Sequence, residues 1–273
     1  MAYLTIIKNG ETIDHRKYGL KLLSFRKESL THRTNFEEMG GRHGAIDTGT
    51  TFGERKLKAT FLMQGVDHLD YQLMIDEVYA LFACEDSIEL IDSRQPGKVW
   101  TVKPSSTFEP DDLNPRSGKF EIEFTSPLPF ASSYGSTLDP FTFGEEVWQI
   151  GQGLIPSDSL VYRHRTNRFS IFNAGNVEVD PCLEMPLNIV YKGASSNFTI
   201  KNKTTGQTIS YNGTSKSTDS IKLEGLRHLK NGISIYGNTN RGYVSLKPGW
   251  NDFELTGTSG SFEITFDFFF FYK

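Results

Sequence analysis

The sequence predicts a mainly β protein built from two domains, with a single α-helix in the first. Its 273 residues are enough for two domains of ordinary size. Phe and Tyr are frequent, at 21 and 11 residues, and bulky aromatic side chains suit pleated surfaces and interfaces. Most patterned segments also alternate apolar and polar residues with a period of two, which is the period of a half-buried strand.

Two strands of the first domain have the clearest alternation. In the segment 57–63, Leu57, Ala59, Phe61 and Met63 share one face, and in the segment 120–125 the face is formed by Phe120, Ile122 and Phe124. This pattern is typical of antiparallel strands that pack on a core with one face. Weaker patterns predict four further strands, over Leu4–Ile7, Leu20–Phe25, Ile88–Ile91 and Val99–Lys103.

One segment, from about Asp67 to Ala83, predicts a helix that begins with Asp67 as its N-cap. Helical spacing gathers six apolar residues into one stripe: Tyr71, Met74, Ile75, Val78, Leu81 and Phe82. Leu69, Leu73 and Ala80 lie on the opposite side. A helix that is apolar on two sides is usually buried on both. Burial inside its own domain is the favoured interpretation, and burial against a neighbouring subunit is the alternative.

The segment Asn35–Phe52 contains four glycines and few apolar residues, which indicates a long loop or a hairpin arm. Such an arm in a small β domain often reaches a partner, so Arg42 and His43 are candidate interface residues. Arg42-His43-Gly44 also matches a motif of histidine phosphatases. That motif follows a parallel strand, whereas here it follows Glu38–Gly41, so the match is rejected.

A Pro-rich stretch, Ser126–Phe130, ends the preceding strand, and Ser132–Pro140 is small, polar and turn-forming. We therefore expect one domain over residues 1–135 and a second over 136–273, with a linker at about 126–140. The second domain shows many short strands separated by turns, which favours a β-sandwich or jelly roll. The predicted strands are Phe169–Phe172, Leu187–Tyr191, Phe198–Lys201, Gln207–Tyr211, Ser220–Leu223, Ile233–Tyr236, Tyr243–Leu246, Phe253–Thr256 and Phe262–Tyr272.

The last predicted strand, Phe262–Tyr272, changes character near the C-terminus. One face is apolar throughout, and the other changes from polar residues to Phe269 and Phe271. Two adjacent phenylalanines on one face are not readily exposed to water. We therefore expect a cover for them, either from the first domain or from another chain.

The net charge of −4 argues against a protein that binds nucleic acid through its phosphates. Residues 1–135 contain 16 Lys and Arg against 20 Asp and Glu, and the remainder contains 13 of each. Neither half has the basic excess that phosphate binding needs. The two cysteines fall in different predicted domains, so no disulfide framework is expected. Neither a signal peptide nor a membrane anchor is expected from the apolar runs, which are too short.

No pattern of catalytic, metal-binding or cofactor-binding residues is present, so an enzyme is not predicted. The sequence lacks a Cys-x-x-Cys pair, a P-loop, an EF-hand loop and a Gly-x-Ser-x-Gly elbow. The carboxylate pairs Asp111-Asp112 and Glu145-Glu146 are interpreted as solvated surface, not as a glycosidase site. Trp148 and Trp250 are candidates for stacking on a sugar, with packing in the core as the favoured alternative.

Taken in order, several segments resemble the distal tail protein family of long, non-contractile-tailed phages that infect Gram-positive bacteria. The resemblance covers essentially the whole chain. It rests on Gly41–Asp47, Leu57–Met63, Tyr71–Phe82, Arg94–Trp100, Phe120–Thr125 with Pro127–Phe130, Asn173–Asn176 with Asp180-Pro181, Lys247–Asn251 and Phe262–Tyr272.

The resemblance implies a structural component at the tip of the virion tail, assembled in the cytoplasm of the bacterial host. The first domain would form a homohexameric ring, and the second would be an outward, galectin-like β-sandwich. The implied partners are further copies of the chain, the major tail tube protein, the tail-associated lysin or hub protein, and possible docking receptor-binding proteins. DNA would pass through the ring without specific binding. The alternative function is a carbohydrate-binding adhesin that recognises host cell-wall glycans, and a glycosidase ranks behind both.

Overall fold

In the computed structural model, which describes residues 2–41, 43–141, 147–154 and 160–273, the chain divides into two units after Ala131. The described residues are mainly in strands, with one α-helix, so the predicted fold class is confirmed. The elements of the first unit are β1 (Leu4–Lys8), β2 (Glu11–Asp14), β3 (Leu20–Lys27), β4 (His32–Glu38), β5 (Ala45–Phe52), β6 (Arg55–Gln64), α1 (His68–Phe82), β7 (Ile88–Asp92), β8 (Lys98–Pro104), β9 (Asp111–Asn114) and β10 (Ser117–Ser126).

The main sheet of the first unit has the strand order β2-β1-β7-β8-β10-β6-β3, and β9 pairs with β10. Neighbouring strands are antiparallel. The longest pairing joins β6 to β10, and it places Phe61 opposite Phe120 and Leu57 opposite Phe124. All four of these side chains are buried, as the alternation predicts. Their burial on one face is what holds the sheet to its core.

The helix α1 covers that core. The carboxylate of Asp67 accepts hydrogen bonds from the backbone N–H groups of Leu69 and Asp70, both at 2.9 Å, which satisfies donors that a helix start leaves unpaired. The buried side chains of α1 are Tyr71, Met74, Val78, Leu81 and Phe82. The stripe predicted by helical spacing is therefore the face that packs on the sheet.

The elements of the second unit form an eight-stranded antiparallel sheet with the order β12-β19-β14-β16-β17-β18, to which β13 adds on β19 and β15 on β14. A short pair, β11 with β20, completes the described strands. Their bounds are β11 (Ala131–Ser133), β12 (Arg163–His164), β13 (Arg168–Asn173), β14 (Leu187–Asn202), β15 (Thr208–Ser215), β16 (Ser220–Glu224), β17 (Arg227–Lys230), β18 (Ile233–Ser234), β19 (Gly249–Phe268) and β20 (Phe271–Tyr272).

Two long strands, β14 and β19, organise this unit, where the sequence predicts four shorter ones. Their pairing shifts register between Gly193 and Ala194 and again between Ser195 and Thr199. Each half of β14 also pairs with a different neighbour, β16 for the first half and β15 for the second. Bulges of this kind bend a strand so that it contributes to both layers of a β-sandwich. The predicted strand Tyr243–Leu246 is wrong, since Leu246 makes an isolated bridge to Val179.

Candidate assembly surfaces

The outer face of α1 exposes large apolar side chains to solvent. Leu69 and Leu73 are 66% and 64% exposed, and Val66, just before the helix, is exposed as well. The favoured expectation, that this side of the helix is buried inside its own domain, is wrong, because the sheet covers only the opposite face. Large apolar side chains grouped on a surface are typical of an interaction site.

The N-terminal part of α1 is held in place through the side chain of Tyr71. The Tyr71 hydroxyl donates a hydrogen bond to the Asp112 carboxylate at 2.8 Å. Burial, together with that hydrogen bond, raises the pKa of Tyr71 to about 12, so the phenol stays a donor at neutral pH. Gly118 lies beneath it, and a Cβ at that position would sit 2.0 Å from the Tyr71 hydroxyl oxygen. The exposed leucines therefore project from an anchored element.

The charge around α1 is strongly acidic. Between residues 65 and 93 the chain contains eight Asp and Glu and no Lys or Arg. Asp67, Asp76 and Glu77 are exposed. Lys8 reaches this region from β1 and donates a hydrogen bond to the Leu81 carbonyl at 3.0 Å, near the helix C-terminus, where a cation is favoured. The surface therefore combines exposed leucines with a negative field that repels polyanions.

The strands β4 and β5 form a hairpin that pairs with itself, as a separate two-stranded sheet. The Gly-rich segment is thus the hairpin arm and not a loop. At its base, the rings of His32 and Phe52 lie 5.2 Å apart, and Phe130 packs on Phe52 at 6.0 Å. Further along, Phe36 and Met39 are exposed. An exposed hairpin with unpaired edges and apolar side chains is a ready template for association.

Of the two predicted interface residues of the arm, only His43 lies among the described residues. His43 is exposed near the turn of the hairpin, between β4 and β5. Arg42 lies outside the described residues. Sequence reasoning missed Phe36 and Met39, although two large apolar residues in an otherwise polar arm are the signal that identifies them.

The C-terminal phenylalanines differ from the prediction. The strand β19 ends at Phe268, and β20 begins only at Phe271, so the period-two alternation stops between them. Phe271 is 4% exposed in the single chain, and Phe269 is half-buried. Phe271 is thus covered without another chain, which removes it from the candidate intersubunit surface.

The two candidate sugar-stacking tryptophans have opposite environments. Trp148 is 2% exposed, packs on Phe141 and Phe270, and donates its indole N–H to the Pro140 carbonyl at 3.0 Å. It is a core residue with no open face for a ligand. Trp250 is 44% exposed and lies on β19, beside Phe172 of β13. The structure therefore does not bring the two indoles together in one site.

Of the two candidate carboxylate pairs, only Asp111-Asp112 lies among the described residues. Asp111 and Asp112 are exposed, and the Asp112 carboxylate accepts the hydrogen bond of the Tyr71 hydroxyl. Glu145 and Glu146 lie outside the described residues. Among the residues that the structure describes, no group of three or more His, Cys, Asp or Glu side chains is placed to hold a metal ion. Within the same residues, no helix is both long and apolar enough to cross a membrane.

Comparison with known proteins finds matches to phage tail proteins. Residues 13–126 match the model of the phage tail protein RIFT-related domain. The solved structure of the Dit protein of phage SPP1, described as a paradigm of the hub adsorption apparatus in phages that infect Gram-positive bacteria, matches with a TM-score of 0.71. The identity is 13%, and the match covers 98% of this chain and 99% of that one. No curated protein sequence matches the chain.

Two structures of the phage P2 baseplate in its activated conformation, with Ca and with Sr, give weaker matches. Their TM-scores are 0.47 and 0.45, with 8% and 9% identity. The first match covers 98% of both chains and the second 97% of both.

The chain therefore contains, over residues 13–126 of its first unit, a segment that matches the RIFT-related domain of phage tail proteins. Over its whole length it has the fold of a distal tail protein of long-tailed phages, which confirms the resemblance found in the sequence.

Proposed function

We propose that this protein is the structural hub of a phage tail tip. Six copies form a ring that joins the major tail tube protein to the tail-associated lysin or hub protein. The outer sandwich domains serve as a docking platform for receptor-binding proteins. The observation that carries the proposal is the exposure of Leu69 and Leu73 on an anchored helix of the tail-protein domain.

A closed ring needs two different surfaces on each copy, because each protomer contacts one neighbour with one face and the next neighbour with another. The first unit has two candidates, the outer face of α1 and the hairpin arm β4–β5. Phe36 and Met39 of the arm supply apolar side chains of the kind that would cover Leu69 and Leu73 of an adjacent copy. His43 would then lie at the contact, near the end of the arm.

The acidic balance supports passage of DNA through such a ring. Residues 1–135 carry a net charge of −4, and the stretch from 65 to 93 has eight carboxylates without a basic residue. A negative surface repels phosphates, so a polyanion slides past it and is not retained. The same balance disfavours specific nucleic-acid binding by the first unit.

The test compares full-length wild type with the double variant Leu69→Ser, Leu73→Ser, and its matched control is Leu226→Ser, Ile233→Ser, which changes two exposed apolar residues of the second unit. Size-exclusion chromatography with light scattering measures the mass over a range of concentrations. Burying a leucine contributes about 1.5–3 kcal/mol, so losing two from each contact should weaken association roughly a hundredfold or more.

We expect the control to keep the wild-type mass and the helix variant to dissociate toward monomer. Far-ultraviolet circular dichroism checks that both variants retain the wild-type fold. A helix variant with the wild-type mass at every concentration would show that α1 does not form the ring contact.

A further inference from the structure

The outer face of β13 and β19 carries an aromatic pair at the Gly249 end. Phe172 and Trp250 are cross-strand partners, with ring centroids 5.0 Å apart and planes inclined by 53°. Along β19, Trp250 and Asp252 are exposed while Asn251 and Phe253 are buried, so the indole projects from the outer surface of the sheet. With 44% of its surface exposed, Trp250 keeps an open side that the core does not use.

The turn that presents Trp250 is pre-organised by the fully buried side chain of Asn251. Its amide oxygen accepts a hydrogen bond from the Lys247 N–H at 3.0 Å, and its amide nitrogen donates to the carbonyls of Lys247 and Gly249, at 2.7 and 3.1 Å. Gly249 has φ +85°, a conformation that favours glycine. Because the turn is held in this way, ordering it on binding a ligand costs little.

A row of hydrogen-bonding groups continues from the aromatic pair along the same face. The Ser170 hydroxyl donates to the Asp252 carboxylate at 2.6 Å, and the Thr204 hydroxyl accepts from the Asp252 N–H at 2.9 Å. Ser170 and Asp252 occupy the next outward position on β13 and β19, about 7 Å from the aromatic pair, and Thr204 follows the end of β14. One outward position further, Arg168 and Glu254 form an ion pair at 2.7 Å.

The surroundings distinguish this surface from a protein-binding hot spot. An anchoring tryptophan of a protein interface usually lies in a well-packed pocket within a contact area that excludes water. Here the next two outward positions of both strands are polar or charged, namely Ser170, Asp252, Arg168 and Glu254. An aromatic plane followed at once by hydroxyl and carboxylate groups suits a ligand with one apolar face and several hydroxyls.

We propose that this face is a carbohydrate-binding site, with the aliphatic C–H face of a hexose or N-acetylhexosamine unit stacked on the Trp250 indole. The hydrogens of that face lie against the electron-rich side of the ring. Hydroxyls of the sugar exchange hydrogen bonds with Asp252 and the neighbouring Ser170 and Thr204. This goes beyond the proposed ring function, because assembly through the first unit requires no sugar.

The experiment uses the full-length protein and a panel of immobilised oligosaccharides of neutral hexoses and of N-acetylhexosamines. Binding is measured for wild type, Trp250→Ala, Trp250→Phe and Asp252→Ala, with Ile233→Ser as the control. Ile233 is an exposed apolar residue on β18, at the far end of the strand order from β13 and β19. Soluble oligosaccharide of the same composition serves as the competitor.

We expect wild type to bind at least one member of the panel and Trp250→Ala to lose about tenfold or more in affinity, with Trp250→Phe intermediate. Asp252→Ala should lose affinity too, and Ile233→Ser should match wild type. The proposal is overturned if wild type binds nothing in the panel at about 10 mM, or if Trp250→Ala binds as wild type does. The mass of each variant is measured in parallel and should equal that of wild type, so failure of this proposal and failure of the ring are distinguishable.

Discussion

Phe61 is the residue that best shows how the first unit is held together. It is fully buried on β6 and stacks on its cross-strand partner Phe120, with ring centroids 5.5 Å apart. The ring of His15, from a short 3-10 helix over His15–Tyr18, packs on it at 5.5 Å, and the ring of Phe82 packs on it from α1 at 6.2 Å. One side chain therefore joins the sheet, the helix and a connecting turn in a single cluster.

Replacing Phe61 by Ala should lower the free energy of unfolding of the first unit by about 3–5 kcal/mol, because it removes a large buried ring and leaves a cavity. Chemical denaturation of the full-length protein, followed by circular dichroism, measures the change. Phe36→Ala is the matched control, since Phe36 is exposed on the arm and should change the stability of the fold by less than about 0.5 kcal/mol. Equal losses in the two variants would contradict this account of the core.

The helix α1 is the element that connects fold and function, because its two apolar faces have different roles. The face with Tyr71, Met74 and Val78 packs on the sheet, and the face with Leu69 and Leu73 is exposed. Presentation of the outer face depends on a well-formed first turn. The Asp67 cap, which receives two backbone hydrogen bonds, forms that turn.

Asp67→Ala should therefore destabilise the first unit by about 1 kcal/mol, the usual cost of losing an N-cap. The control is Asp76→Ala, an exposed change in the middle of the same helix, where Ala is the better helix former and no loss is expected. Both are measured by denaturant unfolding. If Asp76→Ala were the more destabilising of the two, Asp67 would not be the cap that stabilises the first turn.

The strands β6 and β10 of the first unit could be predicted from sequence because their alternation is regular, whereas the short strands β2 and β9 have no such pattern and are not predicted. The long strands of the second unit could not be predicted either, since glycines such as Gly193 and Gly257 suggest turns. In the structure Gly193 adjoins a register shift inside β14, and Gly257 lies within β19 with φ +76°. A bulge and a turn use the same residue types, and only the partner strand distinguishes them.

The candidate interaction surfaces could be predicted only in part, because their environment depends on tertiary packing. Helical spacing identifies Leu69 and Leu73 as a second apolar face, but it does not distinguish a face buried in the domain from a face exposed for binding a partner. Trp148 and Trp250 are equally plausible ligand-stacking residues in the sequence. Only tertiary packing separates them, since Phe270, more than a hundred residues away along the chain, covers Trp148.

At the scale of the whole molecule, the two units have surfaces suited to different tasks. The first, with the tail-protein domain, has the exposed helix face, the hairpin arm and the acidic stretch. The second is a sandwich whose exposed Trp250 lies among polar groups. This division agrees with a protein that assembles through one unit and meets other molecules through the other.

The proposed ring is tested most directly by the mass and shape of the purified wild-type protein. Native mass spectrometry and electron microscopy of the same sample measure them. Six copies of the 30.8 kDa chain should give a particle of about 185 kDa with sixfold symmetry and a central opening. A monomer of 30.8 kDa at every concentration up to the highest that can be reached would contradict the account.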